Sequence, residues 1–170
     1  YNASSVSAQQ EKINQNPHFV YLAYFAPNVI KVGISQEERG IRRLLEQGAR
    51  LAVKLETFSS ALIARQYEAK ISKLDGIVET LPVHKKMELI KLPFDHATGE
   101  RELRQKLPEI EQKIGVSFPK SELIPCEDYF QTAGVDLSRV ILMKDYSQLV
   151  GRVRSVIGSI VITDYGGQLL

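Results

Sequence analysis

The chain predicts an α+β fold, with a small central antiparallel sheet and flanking helices followed by a C-terminal β-rich module. Three observations carry that expectation. Residues 19–34 read as two apolar strands joined by Pro27-Asn28, and so short a link can only join antiparallel neighbours. Residues 35–76 then alternate helical and strand periodicity. After residue 135 come short β-branched runs broken by glycine, the pattern of a meander or barrel-like module.

Taken in order, residues 1–17 are a polar lead-in rich in Ser, Ala, Gln and Asn, with some helical character and an end at Pro17. Residues 18–76 form the core. Phe19 to Phe25 is β-branched and aromatic on both faces, which predicts a central strand covered on two sides, and Val29 to Ile34 returns beside it. Ser35 and Glu38 have the spacing of a capping box, opening a helix that buries Ile41, Leu44 and Leu45 and stops at Gly48. Its other side carries Arg39, Arg43 and Gln47. Leu51 to Phe58 predicts a third strand, and Ser59 or Ser60 caps a second helix with Ile63, Tyr67, Ile71 and Leu74 on one face. Glu68 falls at the edge of that stripe, about 95° from its middle.

Residues 77–134 read as a mixed helix and loop extension. It has a strand-like segment at Glu88 to Leu92, a charged helix from Glu100 to Ile114 interrupted near Pro108, and connecting chain beyond. Residues 135–170 form the β module, with strands expected at Arg139 to Met143, Leu149 to Ile157 and Ser159 to Thr163.

A chain of 170 residues with 44% hydrophobic and 25% charged residues can bury a sizeable core. No apolar run approaches the roughly 18 residues of a membrane span, and the opening lacks a secretory pattern, so a cytoplasmic protein is expected. The single cysteine, Cys126, excludes an internal disulfide and a thiolate-rich zinc site. Net charge is only +2. Residues 1–75 nevertheless hold ten Lys/Arg against seven Asp/Glu, a mildly basic half compatible with phosphate contact.

Four polar side chains, Tyr21, Lys31, Arg43 and Glu68, occupy matching stations of the otherwise apolar core. Phenol, cation and carboxylate together are what metal-assisted phosphodiester cleavage needs. Tyr21 and Lys31 share a sheet face only if Tyr21 lies opposite Gly33 and Ala23 opposite Lys31; a slip by one residue would separate them. Taken singly, each of the four has an ordinary structural reading, as a core tyrosine or a solvated charge. His84-Lys85-Lys86 and His96 read as ordinary surface residues, with no second ligand spaced for zinc.

Val20-Tyr21-Leu22, Lys31-Val32-Gly33, Arg43 ten residues after Gly33, and then Glu68 together resemble the GIY-YIG nuclease superfamily. More narrowly, Lys-Val-Gly-Ile-Ser, Arg43 and Glu46-Gln47-Gly48-Ala49 resemble the domain-of-unknown-function family 2797, an uncharacterised branch. The resemblance implies an endonuclease hydrolysing DNA phosphodiesters. Tyr21 would help activate the attacking water, Arg43 would stabilise charge on the scissile phosphate, and Glu68 would hold Mg²⁺ or Mn²⁺. Lys31 stands where the superfamily has its second tyrosine. It could contact phosphate as a point charge, act as a base if burial lowers its pKa, or mark a branch that binds without cutting. Arg39 would join Lys31 and Arg43 on phosphate. Two other readings compete: a catalytically inactive nucleic-acid-binding module of the same fold, and a protein-interaction scaffold whose β module offers a strand edge.

Overall fold

The computed structural model describes residues 7–143, 150–165 and 167–170. Helix α1 (Ala8–Asn14) is capped by the Ser7 hydroxyl, which accepts from Gln10 N–H. The central strand β1 (His18–Ala26) is buried along its whole length. It pairs antiparallel with β2 (Val29–Gln36) on one side and β3 (Leu51–Phe58) on the other. This is the antiparallel trio that the sequence predicts. Its two edges are extended by strands too short to leave a pattern. Strand β4 (Ile77–Val78) adds parallel to β2, and β5 (Glu122–Ile124) adds antiparallel to β3, giving a mixed five-stranded sheet in the order β4-β2-β1-β3-β5.

Both faces of the sheet are covered. Val20, Leu22 and Tyr24 face α3 (Ala61–Ile71) and α5 (His96–Ile114), packing with Ala64, Ile71, Leu103 and Ile110. Phe19, Tyr21, Ala23 and Phe25 face the other way, against Leu44 of α2 (Gly40–Gln47) and Leu89 of α4 (Val83–Leu89). Two-sided burial explains why the strand reads as a continuous apolar run rather than an alternation.

Several local expectations are corrected. Ser35 remains in β2 and its hydroxyl donates to the Gln36 carbonyl, so no capping box forms. A short 3-10 turn, Glu37–Arg39, comes first, and α2 begins directly after it at Gly40 (φ +47°). Arg39 therefore precedes the helix instead of lying on its stripe, and only Leu44 of the expected apolar face is fully buried. The Gly48 stop and the Ser60 cap stand as expected: Gly48 is left-handed, and Ser60 Oγ accepts from Ile63 N–H. The segment around Glu88 is the end of helix α4, not a strand. Helix α5 runs unbroken through Pro108. Both Pro108 and Arg104, whose carbonyl loses its helical donor, are exposed.

The second sheet is β6 (Arg152–Ile157), β7 (Ile160–Tyr165) and β8 (Gln168–Leu169), all antiparallel. Residues 139–143 form no strand there. The expected strand start at Leu149 lies outside the described residues. A small core of Val140, Ile157, Ile160 and Ile162 closes on Ile90, just past α4. The β6–β7 turn also meets the end of α2. A Cβ on Gly158 (φ +61°) would lie 2.7 Å from the Gly48 nitrogen and 2.8 Å from the Glu46 carbonyl oxygen. No residue with a side chain fits at that junction.

Candidate functional site

The hairpin register is the one a shared site requires: Tyr21 lies opposite Gly33, and Ala23 opposite Lys31. Tyr21 and Lys31 therefore project from the same sheet face, and the Lys31 ammonium stands 5.7 Å from the centre of the Tyr21 ring. The ring lies across Gly33. A Cβ at that position would be 2.5 Å from Tyr21 Cζ and closer still to Oη, so glycine opposite the tyrosine is a steric necessity.

Tyr21 is fully buried, and its hydroxyl has no hydrogen-bond partner among the described residues. Burial raises the phenol above its ordinary pKa, and Arg43 pulls the other way. The guanidinium comes close enough to act on the phenol by charge and weak polar contact but falls short of hydrogen-bond geometry. Glu68 and Arg39 act on the same hydroxyl at longer range.

Lys31 is half-buried, donating weakly to the Val32 carbonyl at 3.4 Å. Desolvation first, then the like charge of Arg43, lowers its pKa, while Glu68 and Glu79 draw it back up. Glu68, at the edge of α3, is also half-buried. Its carboxyl is raised by desolvation and by Glu79, against the lowering effect of Lys31 and Arg65. Phenol, ammonium, guanidinium and carboxylate thus act on one another across one patch. Arg39 is only a peripheral member. It is tied to Glu46 by an ion pair, which Arg43 joins from 3.8 Å.

Two neighbours were not expected. Glu79, just past β4, acts on both Lys31 and Glu68 while its carboxylate accepts from Ser72 Oγ at 2.9 Å. Lys86, expected on the surface, is 9% exposed. Its ammonium donates to the Gln47 carbonyl at 2.7 Å and stands 5.2 Å from the Phe25 ring centre. Desolvation, with the charges of Lys31 and Arg43, pushes its pKa down to about 8. A helical reading of residues 83–89 would have found it, because Lys86 precedes Leu89 and Ile90 by three and four positions on the buried side.

The family model described as "Protein of unknown function (DUF2797)" matches residues 5–168. The chain belongs to that family. No curated protein and no solved structure matches it. The DUF2797 match covers the main sheet and the C-terminal sheet alike. Among the described residues no helix is long and apolar enough to cross a membrane, and no group of three or more His, Cys, Asp and Glu could enclose a metal ion. The donors available to a cation are therefore few: Glu68, with Glu79 within electrostatic reach. Two carboxylates are too few to enclose zinc, and a divalent ion held there would keep most of its water.

Proposed function

We propose that this face binds a nucleic-acid phosphodiester, DNA in the first instance, and hydrolyses it with a divalent cation on Glu68, as a divergent GIY-YIG-like nuclease. One observation carries the reading. Tyr21 keeps a buried hydroxyl with no hydrogen-bond partner among the described residues, where Arg43 and Glu68 act on it and Lys31 stands over its ring. An orphaned polar group of that kind costs stability and calls for a functional reason.

Arg43 offers a planar fork to two phosphate oxygens, and Lys31 adds a point charge. Both are best used where charge grows in the transition state. The raised pKa keeps Tyr21 protonated at neutral pH. Its hydroxyl is closed off from solvent, so it acts through the Arg43 guanidinium beside it rather than by removing a proton from water itself. Magnesium or manganese held by Glu68 would supply Lewis acidity and an acidified water. A second reading has its own support: Lys31 already opposes the Glu68 charge, which suits binding without cleavage.

The test is nicking of supercoiled plasmid in Mg²⁺ or Mn²⁺. Arg43→Ala should slow nicking about 10²–10³-fold, as loss of an oxyanion donor does. Glu68→Ala should abolish it, with circular dichroism unchanged for both variants. Salt-sensitive DNA binding without nicking in either metal would select the second reading. Absence of both would end the nucleic-acid proposal.

A further inference from the structure

Resting on the phosphate-binding reading, we infer that Lys86 is a third phosphate-contacting cation of the site, contributed by α4 to the patch formed by Lys31 and Arg43. The same-face side chains Tyr21, Ala23 and Phe25 form a row along β1, with Lys31 opposite the middle member. The Lys31 ammonium stands over the Tyr21 ring and the Lys86 ammonium over the Phe25 ring. The two cations therefore bracket Ala23 on one floor, with Arg43 of α2 acting on both.

Neither ammonium has a carboxylate within ion-pair distance among the described residues. Glu68 and Glu79 offset Lys31, and Glu46 offsets Arg43, but only like charges act on Lys86, and such charges in a partly desolvated place oppose one another unless an anion comes between them. Lys86 also has one donor to spare. Its hydrogen bonds go to the Gln47 carbonyl and, at 3.5 Å, to Gln47 Oε1, while an ammonium carries three N–H bonds. The charged groups acting on it are Lys31 from β2 and Arg43 from α2. From β1 it meets the Phe25 ring, and on its own helix Lys85 is paired with Glu88.

A purely structural Lys86 would do one thing only, capping the last carbonyls of α2. Fluorescence anisotropy with a labelled DNA duplex separates the two roles. Over about 50–200 mM salt, Lys86→Met should flatten the slope of log affinity against log salt by about 0.9, one phosphate contact. It should also weaken binding about tenfold. Lys86→Arg should keep the parental slope. Parental affinity should fall between about pH 7.5 and about pH 9.5 as the ammonium is lost, and Lys86→Arg should fall less because a guanidinium does not titrate there.

If Lys86→Met lowers Tm while leaving the slope unchanged, the cap is its whole role and the inference is overturned. If Lys86→Met does not fold, the pH profiles decide: equal falls for the parent and Lys86→Arg overturn it, and a shallower fall for Lys86→Arg sustains it. A parent protein with no salt-dependent binding removes the phosphate-binding reading itself, and this inference with it.

Discussion

Removing the Tyr21 hydroxyl should make the protein more stable and less useful. The hydroxyl is buried and has no hydrogen-bond partner among the described residues, so Tyr21→Phe abolishes a desolvation penalty of about 1–3 kcal/mol. Against this stands the space vacated by one oxygen. A void of about 15 Å³ costs about 0.4 kcal/mol at about 24 cal/mol per Å³. The weak attraction between the phenol and Arg43 is lost as well. The net expectation is a gain of about 1 kcal/mol, or about 2–4 °C in Tm for a domain of this size. Urea denaturation with an unchanged m-value is the assay. Plasmid nicking, or DNA affinity if nicking is absent, should fall in the same variant, since function and stability pull apart where a site stores an unsatisfied group. A loss of more than about 1 kcal/mol would show that the hydroxyl is partnered in solution, and the functional inference from its isolation would fail.

Two further expectations follow from the same neighbourhood. Gly33→Ala should cost about 3 kcal/mol in urea denaturation, the upper range for overpacking, because the added carbon meets a fully buried ring. The cost should persist in the Tyr21→Phe background, since the ring carbon at 2.5 Å remains; a penalty under about 1 kcal/mol would mean that strand β2 yields freely. Glu68→Gln should raise Tm at neutral pH. The folded carboxyl has a raised pKa, so its stabilising contribution exists below the unfolded value and is lost as pH rises through the folded one. Scanning Tm against pH should show the gap closing below about pH 4, and a lower Tm for Glu68→Gln at pH 7 contradicts this.

What the sequence made legible is what strong local chemistry dictates. The turn at Pro27-Asn28 and the unbroken apolar run before it specify the hairpin, and Asn28 accepts the positive φ that the turn demands. The apolar framework then sets the register that puts Tyr21 and Lys31 on one face. Gly48 and Ser60 end and begin helices by backbone geometry and capping, both readable one residue at a time. The two edge strands were not readable. Two or three residues carry no period, and β4 and β5 exist because β2 and β3 offer open edges.

Helix α4 has only two turns between Pro82 and Pro93, too short to separate helical from strand periodicity. That misreading is also why Lys86 looked like a solvated charge. Arg50 illustrates the same limit. It is 5% exposed, donating to the Ile90 carbonyl at 2.7 Å and to Glu127 at 3.1 Å, contacts between distant segments that nothing local announces.

The contact of Gly158 with Gly48 ties the far end of the chain to Arg43. The guanidinium is borne little more than one helical turn upstream of the place where the β6–β7 turn abuts α2. A bulkier residue at either glycine would be felt as a change of guanidinium aim. Trimming the last twenty or so residues to obtain a smaller protein would, by the same mechanical logic, leave that helix without its end-stop. Whatever selects for the site must therefore also select for a hairpin more than a hundred residues downstream.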